Sequence, residues 1–486
     1  MGRASSATTY LMIDLKKIPA KTEVIFKGDD RIISYSKDAV MTGSPDAVVR
    51  PRDWQEVADI LEWCNGNGVP VTMCGGRTSM TGASVATEGV LVTTDHFNKI
   101  IDIGTKDGGG YAIVEPGVNV REFQRLVEEK GFHYPVVPTS CDDAFIGGTV
   151  STNATGEDFY KYGPTRSWIR EISYIKIDGT AGTLKRAIPP LPLWERAGVR
   201  GEFTKGHGGY HLGGEEIDKL IGSEGTLAAI SRITLELMPL IPKTFVVLIP
   251  FTPHMEALAF IDDVNKKGYA PRSLEYIDST AISLIMTHKS PPKLPEGTKA
   301  LVYLKDEYDD IDVSLAKWMQ IIQGPEGTMV ATTDKQKEEF HSWRHHIPAT
   351  ISERREGLEA KGGGKVSGDW WVPREQMLAT MKNTYEEVLP LNIDFTMYAH
   401  LGDGHPHTTF LCKNAAEKER AHELVLRQSR RAVSLGGGVA GEHGIGKIKR
   451  ELLSIQYTTD IIEEMRKLKT GYDPKWLMGR GNIFCR

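Results

Sequence analysis

The chain has 486 residues, with 59 lysines and arginines against 64 aspartates and glutamates and a formal net charge of -5. This acidic balance, with no basic stripe that carries interleaved aromatic residues, argues against a nucleic-acid partner. The length predicts two or three domains, and no apolar run approaches the roughly eighteen residues that a membrane span requires.

The cysteines and the N-terminus bear on the compartment. The chain has five cysteines and no CxxC pair, which predicts neither a disulfide framework nor a cysteine-held iron–sulfur cluster. The first residues lack the hydrophobic core of a signal peptide. We therefore expect a cytoplasmic protein, with attachment to a membrane surface as the alternative.

Strands, helices and glycine-rich loops alternate through the first half of the chain. In chain order, the patterns predict a strand (PDAVVRP), a helix (WQEVADILEWCNGNG), three strands (VPVTMC, GVLVTT, YAIVEPGV), a helix (VREFQRLVEEKG), a glycine-rich loop (DDAFIGGTVSTNATG) and a hairpin (EISYIKIDGTAGTLKR). The segment GSEGTLAAISRITLELMPL closes this block with a helix start and a strand. A strand (TFVVLIPF) and a helix (MEALAFIDDVNKKG) then begin a separate α+β layer, so we place a domain boundary near Pro239 to Pro242.

A glycine-rich turn follows the VPVTMC strand. Glycine at positions 75, 76 and 82 lets the backbone turn tightly and present N–H groups to an anion, and nearby hydroxyl side chains add donors. These hydroxyl residues are Thr78, Ser79 and Thr81. Because neither the Walker A nor the GxGxxG pattern is present, the residues alone leave a phosphate loop and an ordinary tight turn open.

Two glycine-punctuated segments in the second half of the chain carry histidines. FTMYAH and HTTFLC have strand-forming residues on either side of a turn at 402–404, so we predict a hairpin that brings His400 and His407 to its open end. AGEHGIGK, further along the chain, supplies Glu442 and His443. Imidazoles and a carboxylate suit zinc or another divalent ion, and three protein ligands leave a position open for substrate. Spacing alone leaves open that these are independent surface or core residues.

The order of motifs from about residue 41 to 240 resembles the FAD domain of the vanillyl-alcohol oxidase/PCMH flavoprotein superfamily. The matching segments are PDAVVRP, GGRTSMTG, PGV, PTSCDDAFIGGTVSTNATG, YG and GSEGTLAAISRITL. The resemblance implies an α+β fold, with a PCMH-type FAD-binding domain and an α+β cap domain built on an antiparallel sheet. It also implies bound FAD, held by a pyrophosphate loop (Gly75, Gly76, Arg77, Thr78, Ser79, Thr81, Gly82), a flavin-lining segment (Pro138, Thr139, Ser140, Gly147, Gly148, Thr152, Ala154, Gly163) and residues toward the adenosine end (Glu224, Gly225, Ile230).

HLGDGHPH and AGEHGIGK resemble the HxGDGNxH and EHG motifs of the FAD-linked D-2-hydroxyacid dehydrogenases. That family includes D-lactate and D-2-hydroxyglutarate dehydrogenases and the glycolate oxidase flavoprotein subunit. The resemblance implies oxidation of a small D-2-hydroxy acid to the 2-oxo acid. It assigns His400, His407 and Glu442 to a divalent metal, for which zinc is our first choice, and His443 to the base beside the flavin. FHSWRHHIP resembles the segment that carries the substrate-carboxylate arginine, here Arg344, and a surface arginine on a helix is the alternative.

Three positions depart from the family pattern. His405 stands where the motif has asparagine, and we interpret it as a solvated turn residue, with an extra ligand or a substrate donor as alternatives. Pro348 and Ser367 replace a threonine and a lysine of some relatives, and Lys365 is close enough in sequence to substitute for that lysine. The substrate therefore stays open among glycolate, D-lactate-like acids and D-2-hydroxyglutarate.

The mode of FAD attachment follows from two further positions. Thr78 occupies the place where covalent members of the superfamily carry histidine, so we expect non-covalent FAD. Cys141 lies in the flavin-lining segment, where we prefer a buried structural thiol over a cysteinyl link to the flavin.

The predicted organisation is an N-terminal segment (1–40), the FAD-binding domain (41–240), the cap domain with the metal site (241–455) and a C-terminal segment that packs back on the FAD-binding domain (456–486). Residues 188–202, rich in proline and charge, are predicted to form an inserted surface loop. The resemblance also implies an external electron acceptor, namely a cytochrome, a quinone, an electron-transfer flavoprotein or an iron–sulfur subunit, unless oxygen serves. A homodimer is the assembly that we consider.

Two other functions remain open. One is a flavin-dependent transferase similar to alkylglycerone-phosphate synthase, whose histidine-rich signature differs from HLGDGHPH. The other is a non-catalytic FAD subunit of a multi-subunit glycolate oxidase, against which the presence of all three metal-ligand positions argues. A metal hydrolase without flavin is a more remote third reading.

Overall fold

The structure is a computed structural model that describes residues 13–106, 108–187, 205–206, 208–240 and 243–485. The loop predicted at 188–202 lies outside these ranges. None of the helices that the structure describes is long and apolar enough to cross a lipid bilayer.

Helices and strands mix throughout the described chain. The strands are β1 Val24–Phe26, β2 Ala47–Val49, β3 Val71–Cys74, β4 Val90–Thr93, β5 Ile100–Lys106, β6 Gly109–Val114, β7 Phe132–His133, β8 Ile169–Ile175, β9 Ala181–Lys185, β10 Ala229–Pro239, β11 Thr244–Phe251, β12 Ser273–Asp278, β13 Ala300–Glu307, β14 Met329–Ala331, β15 Gly364–Ser367, β16 Asp394–His400 and β17 His405–Cys412. The helices are α1 Trp54–Asn67, α2 Val120–Glu129, α3 Ile146–Thr152, α4 Phe159–Tyr162, α5 Glu216–Leu220, α6 His254–Lys267, α7 Ser279–Ile285, α8 Ile311–Ile322, α9 Asp334–Glu359, α10 Arg374–Val388, α11 Ala415–Ser434, α12 Leu453–Gln456 and α13 Thr459–Tyr472. The predicted α+β class is confirmed.

The first half of the chain forms two sheets. In the first sheet, β2 and β3 both pair with β4 in parallel, and β1 adds an antiparallel edge strand. Helix α1 begins at the capping side chain of Asp53 and ends at left-handed Gly68, and it buries Val57, Ile60 and Leu61 in the same core as these strands. The second sheet is antiparallel, in the order β5-β6-β10-β8-β9, with β7 paired to β10.

The second half is built on one antiparallel sheet in the order β14-β11-β13-β12-β16-β17-β15, as predicted for the cap domain. Because side chains alternate between faces along a strand, this sheet supplies two separate cores. Helices α6, α8 and α10 cover one face, around Tyr276 and Met397. Helices α7 and α9 cover the other face, around Ile277 and Trp343, and this second face is the one that carries the candidate site.

The C-terminal segment returns to the first half of the chain. Leu477 and Met478 are buried in the core of the first sheet, where the Val71 N–H donates to the Leu477 carbonyl at 2.9 Å. Sheet membership changes between β10 and β11, around residues 241–242 that lie outside the described ranges. The domain limits themselves remain predictions.

Two local predictions were wrong. The stretch predicted as a glycine-rich loop contains helix α3, because Gly147 lets the helix approach Pro116: a Cβ at Gly147 would lie 2.4 Å from the Pro116 Cβ. The GSEG segment does not begin a helix. Its backbone turns through the left-handed region at Glu224 (φ 52°) and Gly225 (φ 68°), which a right-handed helix excludes.

Candidate active site

A cavity of about 680 Å³ lies between the first half of the chain, which is the predicted FAD-binding half, and the second face of the seven-stranded sheet. One wall comes from the glycine turn after β3 and from α3 with the residues that flank it. The other wall comes from α9, β15, β16, β17 and the segment that carries Glu442 and His443. The cavity therefore brings the two groups of predicted site residues face to face.

Most of the predicted FAD-binding residues line this cavity. They are Gly75, Gly76, Arg77, Thr78, Ser79, Pro138, Thr139, Ser140, Gly147, Gly148, Thr152, Ala154, Glu224, Gly225 and Ile230. Thr81, Gly82 and Gly163 do not border it. Thr81 is fully buried, and its carbonyl accepts the Lys447 N–H at 2.8 Å, so this residue joins the glycine turn to the segment after His443.

The wall has features that fit an extended anionic cofactor. The Nη1 atom of Arg77 is buried and has no hydrogen-bond partner within the described part of the chain. A Cβ at Gly148 would meet no atom within 4 Å, so the cavity passes directly over the backbone there. A Cβ at Gly76, by contrast, would lie 2.0 Å from the Asp143 carbonyl oxygen, which explains why this turn needs glycine. The residues present therefore fit FAD.

The predicted hairpin is present as β16 and β17, but the histidines lie at its turn end rather than at its open end. His400 pairs with His405 next to the turn, and Tyr398 pairs with His407. Because alternate residues share a face, all four of these side chains belong to one face of the sheet. This register places three imidazoles together, of which His400 and His407 border the cavity.

His400, His407 and Glu442 form one group of possible metal ligands. The His400 Nε2 atom lies 3.3 Å from Oε1 of Glu442, and the His407 Nε2 atom lies 3.5 Å from Oε2. Ligand atoms that sit about 2.0–2.1 Å from a tetrahedral zinc ion are roughly 3.4 Å apart, so these spacings fit a single ion. All three ligand atoms lie within 4.8 Å of one another.

Glu275 contacts the His400 ring at Nδ1, the ring nitrogen opposite the one that faces Glu442. Its Oε1 atom lies 3.1 Å from Nδ1 of His400, which leaves Nε2 directed at Glu442. Burial opposes a charged carboxylate, but Arg344 and His400 outweigh burial and lower the pKa of Glu275 to about 2. A carboxylate behind a histidine fixes the orientation of metal-binding imidazoles in many proteins. Glu275 therefore fits the same role here.

The protonation states of His407 and Glu442 suit the binding of a metal cation. Burial, reinforced by the neighbouring His405, lowers the pKa of His407 to about 3, so this imidazole is neutral and keeps a lone pair. Against burial, His400 and Lys205 hold the pKa of Glu442 well below its usual range. Against burial, Glu442 and Glu275 raise the pKa of His400, so a metal ion bound by this group would replace a proton on His400.

The interpretation of His405 as a solvated turn residue was wrong. Its side chain is fully buried, because it is the first residue of β17 and points inward with His407. Its Nδ1 atom lies 2.9 Å from the Lys205 ammonium, and its Nε2 atom lies 3.1 Å from Oδ1 of Asp369. The same Asp369 oxygen lies 3.0 Å from Nδ1 of His443. His405 therefore bridges Lys205 and Asp369. Asp369 in turn contacts His443, so residues from distant segments of the chain meet here.

Arg344 lies on α9 and borders the cavity, but it is buried rather than a surface arginine. Its guanidinium forms a two-point ion pair with Glu275, in which Nη2 and Oε1 are 2.8 Å apart. The ion pair fixes the plane of the guanidinium beside the cavity.

The departures from the family pattern also lie near the cavity. Pro348, Ser367 and Lys365 all border it, and burial lowers the pKa of the Lys365 ammonium to about 8. Thr78 borders it as well, whereas Cys141 is buried elsewhere and burial raises the pKa of its thiol.

Sequence reasoning missed Glu275, Asp369 and Lys205. The segments SLEYID and SGDWWVP each place an acid among residues typical of a buried strand, and a charged residue in such a position signals a buried partner. Lys205 gave no such signal, because its partners Asp403, His405 and Glu442 come from far along the chain.

Comparison with known proteins agrees with this architecture. Residues 45–185 match the family model of an FAD binding domain, and residues 242–483 match that of FAD linked oxidases, C-terminal domain. The chain belongs to this family of FAD-linked oxidases and carries both of its domains.

Three relatives show how broad the family is. The chain is 28% identical to "Glycolate oxidase subunit GlcD" of Bacillus subtilis over 94% of its own length and 92% of the relative's. It is 29% identical to a "D-lactate dehydrogenase" of Archaeoglobus fulgidus, with 90% of each chain covered. It is 25% identical to a "D-2-hydroxyglutarate dehydrogenase" of Stutzerimonas stutzeri, over 98% of this chain and 100% of the relative.

A solved structure of alkyldihydroxyacetonephosphate synthase superposes with a TM-score of 0.62 at 15% identity, over 90% of this chain and 76% of that one. At this level of identity the match supports the fold alone.

Proposed function

We propose that the protein oxidises a small D-2-hydroxy acid to the 2-oxo acid, with FAD as the electron acceptor. The proposal depends on one observation: His443 and the group of His400, His407 and Glu442 border the same cavity as the glycine turn of the FAD-binding half. The names of the relatives, which include a D-lactate and a D-2-hydroxyglutarate dehydrogenase, support this substrate class.

When bound, FAD would supply the two-electron acceptor and a divalent ion would polarise the substrate oxygen. Within the chain, His443 is the residue that we propose to accept the hydroxyl proton, because its imidazole borders both the cavity and the ligand group. Arg344 is proposed to hold the substrate carboxylate. Glu275 occupies Nε and Nη2 of this guanidinium, which leaves Nη1 for a second anion. A carboxylate held there would fix which side of the substrate carbon faces the flavin.

We propose zinc as the ion held by His400, His407 and Glu442. Two imidazoles and one carboxylate are a frequent ligand set of catalytic zinc, and three protein ligands leave coordination positions for the substrate. The neutral His407 and the charged Glu442 are in the protonation states that metal binding requires.

Several further features belong to the proposal. FAD is non-covalent, because Thr78 borders the cavity where a linking histidine would be needed. The electrons leave to an external acceptor, namely a cytochrome, a quinone, an electron-transfer flavoprotein or an iron–sulfur subunit, unless oxygen accepts them. The protein acts in the cytoplasm, free or at a membrane surface, and a homodimer is the assembly that we would test first.

The test is anaerobic mixing of the purified flavoprotein with D-lactate, L-lactate, glycolate and D-2-hydroxyglutarate, one at a time, while the flavin absorbance is followed. Bleaching by a D-acid or by glycolate, with L-lactate inactive, is the expected result and names the substrate. If the protein binds FAD but none of the acids bleaches it, the proposal fails. The flavin-dependent transferase and the non-catalytic FAD subunit then become the better explanations.

A further inference from the structure

Asp369 is the point at which the buried polar groups of the site meet. Its side chain is 2% exposed, and one oxygen, Oδ1, lies 3.0 Å from Nδ1 of His443 and 3.1 Å from Nε2 of His405. The other oxygen, Oδ2, accepts from the Lys449 ammonium at 2.9 Å and from the His443 backbone N–H at 3.2 Å. His443 is therefore held to Asp369 through both its ring and its backbone.

The partners of His405 fix where its proton lies. A lysine ammonium has three donors and no acceptor, so the Lys205 Nζ atom, 2.9 Å away, can only donate to Nδ1 of His405. Nδ1 must then keep its lone pair, and the ring proton must lie on Nε2, which faces Asp369. His405 is thus a bridge that accepts from Lys205 and donates to Asp369.

The same reasoning applies to His443. The Asp369 carboxylate can only accept, so its contact with Nδ1 requires that Nδ1 of His443 carries a proton. In the neutral ring, Nε2 is then the nitrogen with the free lone pair. The His443 side chain borders the cavity, so this arrangement sets which ring atom is available to a substrate.

We propose that Asp369 is the positioning residue of His443, with the Lys205–His405 pair holding the carboxylate in place. The inference rests on the proposed function, in which His443 accepts the substrate hydroxyl proton. It assigns that proton to Nε2 and gives the imidazolium that forms a carboxylate partner on its far side. A role of this kind affects the reaction step and leaves substrate binding nearly unchanged.

Asp369, His405 and His407 are also close enough together to hold a metal ion. The ammonium groups of Lys205 and Lys449 contact two of these three residues, and both nitrogens of His405 are already used in hydrogen bonds. A second cation would have to displace these contacts. The group therefore acts as a support for His443 rather than as a second metal site.

The first experiment compares Asp369→Asn with the wild-type holoenzyme by stopped-flow reduction of the flavin. Asparagine keeps the size of the side chain but can donate to Nδ1, which moves the ring proton to Nε2. We expect the limiting rate constant of flavin reduction to fall by about 10²-fold or more, while the substrate Kd changes by less than about threefold and FAD and metal contents are unchanged. Asp334→Asn, at an exposed position on α9, is the matched control.

Two substitutions at His405 separate the loss of its hydrogen bonds from the loss of its side-chain volume. His405→Asn can still accept from Lys205 and donate to Asp369, and we expect its rate constant to stay within about tenfold of wild type. His405→Ala removes the bridge and is expected to lose clearly more. Equal losses in the two variants, or an Asp369→Asn rate equal to that of Asp334→Asn, would overturn the proposal.

A measurement without substrate keeps this inference distinct from the proposed function. In the holoenzyme labelled with ¹⁵N-histidine, we expect the His443 signals, identified by their loss in His443→Gln, to show a protonated Nδ1 and an unprotonated Nε2. A proton on Nε2 in the wild type would contradict the positioning role even if the acids bleach the flavin. If the expected tautomer is found in a protein whose flavin is bleached by none of the acids, the positioning role is supported and only the proposed dehydrogenase activity is rejected.

Discussion

Two buried clusters of ionisable side chains, among those in the part of the chain that the structure describes, are built from different residue types. The site cluster consists of Lys205, Asp369, His400, His405, His407, Glu442 and His443. The interdomain cluster consists of Glu157 and Asp158, which lie just before α4, and of Arg272, Lys305 and Glu307, which lie on or next to β12 and β13. Both clusters join the FAD-binding half to the half built on the seven-stranded sheet.

The interdomain cluster is made of closed ion pairs. The Lys305 ammonium lies 3.1 Å from Oε1 of Glu157 and 3.2 Å from Oδ1 of Asp158. Arg272 pairs with the same Asp158 and lies 3.6 Å from Glu307. None of these five residues borders the cavity. Each of these five side chains therefore has an oppositely charged partner within the cluster, and none of the five faces the cavity.

The site cluster differs because four of its members are imidazoles. An imidazole can carry a lone pair at one nitrogen while its other nitrogen is fixed by a neighbour, as His400 is fixed by Glu275 and His443 by Asp369. Arginine and lysine offer no such lone pair. Buried ion pairs therefore join the two halves of this molecule, whereas under the proposed function the imidazoles beside the cavity supply the chemistry. Four substitutions test whether the two clusters are divided in this way.

The first prediction concerns a metal ligand. His407→Ala removes one of three ligands and should lower both the bound metal and the rate of flavin reduction, the latter by roughly 10³-fold, because metal polarisation contributes several kcal/mol to such reactions. FAD should stay bound, since His407 lies on the wall opposite the glycine turn. The measurements are metal analysis by mass spectrometry and anaerobic flavin reduction.

The matched control for this prediction is His422→Ala, at a half-exposed histidine on α11 that pairs with Glu451. It should keep both metal and activity. Full activity in a metal-free wild-type protein would show that the imidazole cluster does not need an ion, and zinc would be removed from the proposed function.

The second prediction concerns the interdomain cluster. Arg272→Met leaves the fully buried Asp158 without its guanidinium, and we expect a loss of about 3–5 kcal/mol in the free energy of unfolding. The rate of flavin reduction at 25 °C should change little, because Arg272 does not border the cavity. Calorimetry measures the first effect, and Arg232→Met, at an exposed arginine 3.9 Å from Glu171, is the control.

A loss of flavin reduction in Arg272→Met without a loss of thermal stability would contradict the division between the two clusters. It would mean that the interdomain ion pairs act on the chemistry.

The third prediction concerns the pH dependence of the free energy of unfolding. It uses His345, which lies close to Glu157 of the interdomain cluster. The His345 ring lies against the His341 ring at an angle of 37°, with ring centroids 3.9 Å apart, and burial, together with His341 and Arg344, lowers the pKa of His345 to about 4. The unfolded chain takes up this proton near pH 6.5, whereas the folded protein does so only near pH 4. The contribution of His345 to stability is therefore present above about pH 6.5 and is lost as the pH falls toward 4.

Replacing His345 by glutamine should make the stability less sensitive to pH in this window. Allowing for its partial exposure, we expect the wild type to lose about 2 kcal/mol more than His345→Gln between pH 6.5 and 4. Thermal unfolding of both proteins across this range measures the difference. Parallel pH profiles would show that the imidazole is not held neutral in the folded state.

Local patterns in the sequence predict the secondary-structure elements of this fold better than they predict the contacts of its candidate site. Strand-forming residues on both sides of a glycine turn were enough to predict the hairpin of β16 and β17, because this signal is local. The contact between Lys205 and Glu442 joins residues 237 positions apart, and no local pattern encodes it. The burial of His405 was missed for the same reason: its partner Lys205 comes from the other half of the chain, and its partner Asp369 lies 36 positions before it, so no local pattern encodes either contact.

The GSEG segment shows a second limit. Its sequence was interpreted as a helix start, but Glu224 adopts a left-handed backbone and accepts the N–H groups of Ile445 (2.8 Å) and Gly446 (2.6 Å). These donors come from the segment that carries His443. A tertiary contact, rather than local propensity, therefore determines the conformation here.

The last prediction tests a neutral contact between the two halves. The Tyr160 hydroxyl lies 2.7 Å from Oδ1 of Asn265 and 3.0 Å from the Tyr269 carbonyl oxygen. Tyr160→Phe removes a hydrogen bond that carries no charge, so it should cost only about 1 kcal/mol of unfolding free energy. The variant should keep the wild-type metal content and flavin reduction, because Tyr160 does not border the cavity. If calorimetry shows that Tyr160→Phe costs as much as Arg272→Met, ion pairing is not what holds the two halves together, and packing around α4 would be the stronger contribution.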